Sequence, residues 1–188
     1  MATYTGHQRF LLRDAEKYSD LGYKVAFCKG KEYLGPYEPN VMVPTIFGPV
    51  ATKSSEFPEG FDGISLIPDG MVCVDIDIND FSMIHEGLPP TLKEKTPRGW
   101  HLFYRIHDDT KASAKIKWRE HVDLLVKDNR PSPKKKTPYG GKKDNGSPWG
   151  EHVIISPTVG YKRIWPDEVP NFNDLVDAPR WLLDVLSR

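Results

Sequence analysis

The chain has 188 residues, 38% of them hydrophobic, which suits one packed domain, or a domain with a small lobe, and leaves no room for a second large one. Twenty-six Lys and Arg balance twenty-six Asp and Glu, so the formal charge of zero argues neither for a strong nucleic-acid field nor for an acidic tail, and only local charge is informative. Two cysteines, Cys28 and Cys73, exclude a four-cysteine zinc site, and their apolar surroundings fit a reduced, cytoplasmic protein better than a disulfide framework. No basic segment followed by an apolar core opens the chain and no eighteen apolar residues run together, so neither secretion nor membrane spanning is expected.

Phe10, Leu11, Ala15, Tyr18 and Leu21 recur near helical spacing and predict a helix over 7–21, which Gly22 ends in a left-handed cap. Residues 23–27 alternate as a strand does, and Gly and Pro break 30–49 into ordered loops. A short strand over 63–67 passes through the turn Pro68-Asp69-Gly70 into a strand over 71–78, which predicts a hairpin. After Pro89-Pro90, residues 93–96 and 100–106 read as strands joined by the turn Pro97-Arg98-Gly99. A shorter strand covers 122–126, and residues 127–147, rich in Lys, Gly and Pro, read as a mobile basic loop. Strands over 151–155 and 161–165 flank a turn, and Pro179 opens a helix whose apolar side is Trp181, Leu182, Val185 and Leu186. The expected class is α/β in the α+β sense, with one domain over 1–188, a mixed or antiparallel central sheet and flanking helices.

Asp75 and Asp77, in Val74-Asp75-Ile76-Asp77-Ile78, place two carboxylates on one face of an otherwise apolar strand, about 7 Å apart. Aspartate is a poor strand former and the two charges repel, so something must offset the cost; a divalent cation such as Mg²⁺ or Mn²⁺ does so. The structural alternative is a solvated strand end, against which the flanking Val74 and Ile78 argue. Asp123, in the short apolar strand, is a third acid; alone it reads as an edge residue facing water. Together the three acids, supplied by two strands, match the inventory for two ions that clamp an in-line phosphoryl displacement.

The turn Thr96-Pro97-Arg98-Gly99-Trp100-His101 offers backbone N–H groups beside Gly99, the Arg98 guanidinium and the His101 imidazole to an anion such as a phosphate chain. A solvent-facing Arg98 and a core His101 are the alternatives. Lys134, Lys135, Lys136, Lys142 and Lys143 in the basic loop suit either tracking of DNA phosphates or plain solvation. Lys162 and Arg163 beside Trp165 carry the same two readings.

In order, these pieces resemble the primase-polymerase domain of the archaeo-eukaryotic primase superfamily, of the kind found in plasmid and phage replication proteins. The likeness runs through Asp14-Ala15-Glu16-Lys17-Tyr18, Gly22-Tyr23-Lys24-Val25, Gly63-Ile64-Ser65-Leu66, Val72-Cys73-Val74-Asp75-Ile76-Asp77 and Leu88-Pro89-Pro90-Thr91. It continues through Thr96-Pro97-Arg98-Gly99-Trp100-His101-Leu102-Phe103-Tyr104, Val122-Asp123, Val153-Ile154-Ile155-Ser156-Pro157-Thr158 with Tyr161 and Trp165, and Pro179-Arg180-Trp181-Leu182-Leu183.

The resemblance implies a small α/β lobe packed on an RRM-like lobe, with Asp75, Asp77 and Asp123 as ligands of two Mg²⁺ or Mn²⁺ ions. It makes His101, with Arg98 and Gly99, the contact to an incoming nucleoside triphosphate. It further implies a DNA primase or DNA polymerase, a nucleotidyltransferase acting on a single-stranded DNA template and primer in the cytoplasm. The long basic loop departs from the pattern, and the zinc-binding insertion of some relatives has no counterpart, so no zinc is expected. No Gly-x-x-x-x-Gly-Lys-[Ser/Thr] loop is present. A replicative helicase is therefore expected as a partner in cis or in trans, and the 188 residues read as a truncated piece or a stand-alone catalytic unit. Two rival functions share these residues: a metal-dependent nuclease or nucleotide hydrolase, and a non-catalytic single-strand-binding or origin-binding module. A relaxase-like initiator is disfavoured because Phe103 stands where a second strand-borne His is needed.

Overall fold

Thr5 and Gln8 begin the fold with a reciprocal cap. The Thr5 hydroxyl accepts from the Gln8 N–H at 3.2 Å, and the Gln8 side chain accepts from the Thr5 N–H at 3.0 Å, which starts helix α1 at Gly6–Asp20. Leu11, Ala15 and Tyr18 form its buried stripe, and Gly22 ends it at φ +91°, a conformation open to glycine. The computed structural model describes residues 4–38, 40–45, 48–53, 57–79, 87–107, 115–127 and 152–187. The basic loop residues Lys134, Lys135, Lys136, Lys142 and Lys143 lie outside them.

The strands are β1 Val25–Lys29, β2 Glu32–Pro36, β3 Asn40–Thr45, β4 Gly48–Lys53, β5 Gly63–Leu66, β6 Met71–Ile76, β7 Leu92–Lys95, β8 Trp100–Arg105, β9 Lys115–Arg119, β10 Val122–Val126, β11 Val153–Ile155 and β12 Lys162–Trp165. Helix α2, Arg180–Leu186, follows Pro179. They form a four-stranded sheet in the order β11-β5-β1-β2, a six-stranded sheet in the order β12-β7-β8-β6-β10-β9, and a β3-β4 ribbon. Every pairing of these strands is antiparallel. The class is α+β, with a core dominated by sheets. No helix among the described residues is long and apolar enough to cross a membrane.

Helix α1, the β7-β8 hairpin, β10 and the C-terminal helix stand where the sequence places them. The hairpin expected from β5 and β6 does not form. β5 is buried along its whole length and pairs with β1 and β11, while β6, almost as buried, pairs with β8 and β10. Each needs a partner on both edges, so Pro68-Asp69-Gly70 carries the chain from one sheet to the other. The crossing is held by Ile67 N–H to Lys24 O (2.8 Å), Lys127 N–H to Pro68 O (3.1 Å) and Ile106 N–H to Gly70 O (2.9 Å). β11 and β12 part in the same way, one to each sheet. Residues 30–49, expected as loops, hold β2, β3 and the start of β4. Pro36 ends the edge strand β2, and Pro44 and Pro49 oppose each other in the separate ribbon, places where a missing N–H is tolerated. β9, with alternating exposure and no long apolar run, carries no strand signal that the sequence reading uses.

Two apolar clusters hold these layers. On one face of the large sheet, Cys73, Leu92, Phe103 and Leu125 join Val25, Phe27, Ile64 and Leu66 of the small sheet and Leu11, Ala15 and Tyr18 of α1. On its other face, Val72, Val74, Ile76, Leu102, Tyr104, Val122, Leu124 and Val126 lie under Leu182 and Leu186 of α2. β6 is apolar on both faces because both are covered, and that makes Asp75 an exception to be explained.

Candidate active site

Residues directly opposed in an antiparallel pair share a face of the sheet. Asp123 of β10 opposes Asp75 of β6, Asp75 opposes His101 of β8, and His101 opposes Glu94 of β7. Lys117 of β9 and Arg163 of β12 complete the line. One row of ionisable side chains therefore crosses the large sheet from edge to edge. The next row on the same face is Leu92, Phe103, Cys73 and Leu125, all within the core shared with the small sheet. Beside that core the sheet opens into a cleft of about 460 Å³ lined by Asp75, Asp77, Arg98, His101, Lys115 and Tyr161, among others, while Asp123, next to Asp75 in the row, and the buried Glu94 are not among its lining residues.

Each acid has a basic side chain beside it. His101 Nε2 lies 3.4 Å from Asp75 Oδ1, an Arg98 guanidinium nitrogen 2.9 Å from Asp77 Oδ1, and Lys115 Nζ 2.7 Å from Asp123 Oδ2. Burial alone would raise the Asp75 carboxyl, but the hydrogen bond from His101 and the charges of His101, Lys115 and Arg98 outweigh it and hold the group below the usual carboxylate range. Asp75 is thus an anion at neutral pH, directly across from Asp123. Asp77 lies just past the end of β6, and its N–H donates to His121 O at 2.8 Å. His101 is buried against Phe103 and Tyr161, with ring centroids 6.0 and 5.9 Å away, and its Nδ1 is buried without a hydrogen-bond partner. Among the described residues, no group of three or more His, Cys, Asp and Glu side chains is arranged to hold a metal ion. As they stand, the three acids hold Arg98, His101 and Lys115.

Gly99 has a role in packing that the sequence reading does not assign. A Cβ there would lie 1.6 Å from Ile76 O and 2.9 Å from Ile78 N, both backbone atoms that cannot move without parting β8 from β6. Gly99→Ala is expected to destabilise the protein by about 3 kcal/mol, measured by urea unfolding; a loss under about 1 kcal/mol would show that the turn relaxes freely. The Gly99 N–H donates to Thr96 Oγ1 at 2.9 Å, so the turn is tied down from inside, while Arg98 is exposed toward the cleft.

Lys115 and Glu94 escape the sequence reading. Lys115 opens β9, Lys-Ile-Lys-Trp-Arg, whose polar–apolar alternation is a strand signal that the sequence reading leaves unused, and in Leu92-Lys93-Glu94-Lys95 the charges sit on both faces, so nothing marks Glu94 as the buried one. Register with His101 is the signal that finds it, and register is not visible in one strand. Comparison with family models, with curated proteins and with solved structures returned no match.

Proposed function

We propose that this cleft is the active site of a DNA-templated nucleotidyltransferase, a DNA primase or polymerase that joins nucleoside triphosphates on a single-stranded template with two Mg²⁺ or Mn²⁺ ions. The observation that carries the reading is the register of Asp123, Asp75 and His101 on three neighbouring strands, with Asp77 and Arg98 beside them at the mouth. Two carboxylates opposed across a strand pair repel, and a site that keeps such a pair has a use for concentrated negative charge.

The donor set fits hard divalent cations: carboxylate oxygens from Asp75, Asp77 and Asp123, with no thiolate among them. Metal bound there would supply Lewis-acid activation of a 3′-hydroxyl and neutralisation of the polyphosphate. The chain's own groups do the rest. Arg98, exposed on its tethered turn, exchanges Asp77 for a phosphate oxygen, which suits its planar donor fork. His101 presents an N–H in a partly dry wall, where a hydrogen bond to an anion is worth more than in water. Lys115 balances the acid pair when the cleft holds no cation.

A labelled primer on a longer template, with deoxynucleoside triphosphates and Mn²⁺, tests the reading: the primer lengthens. A primer that shortens would support the nuclease alternative, and no change in either direction would remove catalysis from the proposal. His101→Ala is expected to raise the apparent KM for nucleotide about tenfold, the cost of one charge-assisted hydrogen bond, with a smaller effect on kcat. An unchanged KM in steady-state extension would remove His101 from the nucleotide.

A further inference from the structure

The opposite face of the same sheet edge carries a second charged row. Lys162 of β12 opposes Lys95 of β7, which opposes Trp100 of β8. One step along, Trp165 opposes Lys93. Lys95 Nζ sits 4.2 Å and Lys93 Nζ 5.6 Å from the Trp100 ring centroid, so two ammonium groups stand over one indole. Trp165 is 47% exposed at the rim and Ile164 beside it 39%. The α2 cluster covers the middle of this face, over Ile76 and Leu102; Trp100 packs against its edge, and the three lysines and Trp165 lie beyond it.

We propose that Lys93, Lys95, Trp100, Lys162 and Trp165 form a docking surface for single-stranded nucleic acid, placed to take the strand that enters or leaves the cleft. The inference rests on the proposed function for the identity of the strand. Continuity with the cleft comes through Asn79, two residues beyond Asp77. Its side-chain oxygen accepts from Lys95 Nζ at 2.5 Å and its carbonyl from Trp100 Nε1 at 3.5 Å. The acids and Arg98 thus lie on one side of the β7-β8 hairpin end and the lysine-tryptophan group on the other. A single strand has what the group recognises: phosphates for three ammonium groups, and an unpaired base to stack on Trp165. Lysines on an edge strand also guard against edge-to-edge pairing. That role asks for charge alone, and explains neither two ammonium groups gathered over Trp100 nor a half-exposed Trp165.

Binding of a short fluorescein-labelled oligothymidylate, followed by anisotropy in EDTA at rising KCl, tests this without metal or nucleotide. Trp165→Ala is expected to weaken binding about tenfold and Trp165→Phe to restore most of it. The combined Lys93→Gln, Lys95→Gln and Lys162→Gln variant is expected to flatten the slope of log affinity against log salt by about 2, close to 0.7 per lost phosphate contact. Wild-type affinity and slope in both variants would overturn the surface and leave it to a protein partner or to edge protection; so would a wild-type protein that binds no oligonucleotide. Asp75→Asn separates this from the catalytic reading. It should bind the oligonucleotide as the wild type does, and if it also extends primers normally, the catalytic reading falls while the docking surface stands.

Discussion

On the proposed function, Asp75→Asn is expected to lower primer extension by about 10³-fold, equivalent to about 4 kcal/mol of transition-state stabilisation, while the fold survives. The loss follows from position. Asp75 is the middle member of the acid row, opposed to Asp123 on one side and His101 on the other, so in the proposed site its carboxylate would serve both the metal ligands and the nucleotide contact. Asparagine keeps the shape and one oxygen but removes the charge that would hold a divalent ion. Stability responds differently because two effects oppose one another. The amide weakens the contact with His101 at 3.4 Å and also relieves the repulsion between two carboxylates directly across a strand pair. The net change should stay within about 1 kcal/mol. Single-turnover extension in Mn²⁺ measures the first quantity and thermal unfolding followed by circular dichroism the second. Asp177→Asn, which breaks an exposed pair with Arg105 away from the cleft, is the control and should extend primers at the wild-type rate. An Asp75→Asn protein that keeps a tenth of that rate or more would end the assignment of the acid row to catalysis.

What the sequence makes legible depends on whether a feature is local. The Asp75-x-Asp77 pair is legible because a charge inside Val72-Cys73-Val74 and Ile76 contradicts its own strand, and the contradiction needs no partner to be seen. The Pro97-Arg98-Gly99 turn is legible because its residues dictate the backbone. The hairpin expected at Pro68-Asp69-Gly70 fails for the complementary reason. A turn signal says that the chain reverses, not that the strands on either side pair, and two strands buried on both faces each take other neighbours. Glu94 and Lys115 join the site through register alone. Gly99 reads in the sequence as a nucleotide contact, and its close approach to Ile76 O depends on a strand some twenty residues away. Local chemistry announces the acids; the company they keep is a property of the sheet.

Glu94→Gln should stabilise the protein at alkaline pH and change little at acid pH. Glu94 is fully buried in the same row as His101. Burial pushes its carboxyl from 4.5 up to about 8, although the Ser156 N–H, the Arg163 charge and the Tyr18 hydroxyl all pull it back. The surrounding groups are Tyr18 from α1, with its hydroxyl 3.4 Å from Oε1, Ser156 N–H at 3.2 Å from Oε2, and Arg163 and His101 from the strands on either side. At neutral pH the group is a neutral acid, which leaves Asp75 as the carboxylate that His101 faces. Between pH 4.5 and about 8 the native state binds one proton more than the unfolded chain, so stability falls as pH rises across that window and stays lost above it. At 1.36 kcal/mol per unit the window amounts to about 5 kcal/mol. Glutamine supplies a neutral group of the same shape, with an oxygen for Ser156 N–H and an amide for Tyr18, and has no proton to lose. Urea unfolding of both proteins at pH 5 and pH 9 isolates the effect, because the histidines and other titrating groups are common to both and cancel in the difference. The expected result is a stability difference, Glu94→Gln variant minus wild type, that grows by several kcal/mol toward pH 9. A difference independent of pH would mean that Glu94 is ionised in the folded protein and paired with Arg163, which would turn the row into a chain of alternating charges and give His101 two carboxylates in place of one.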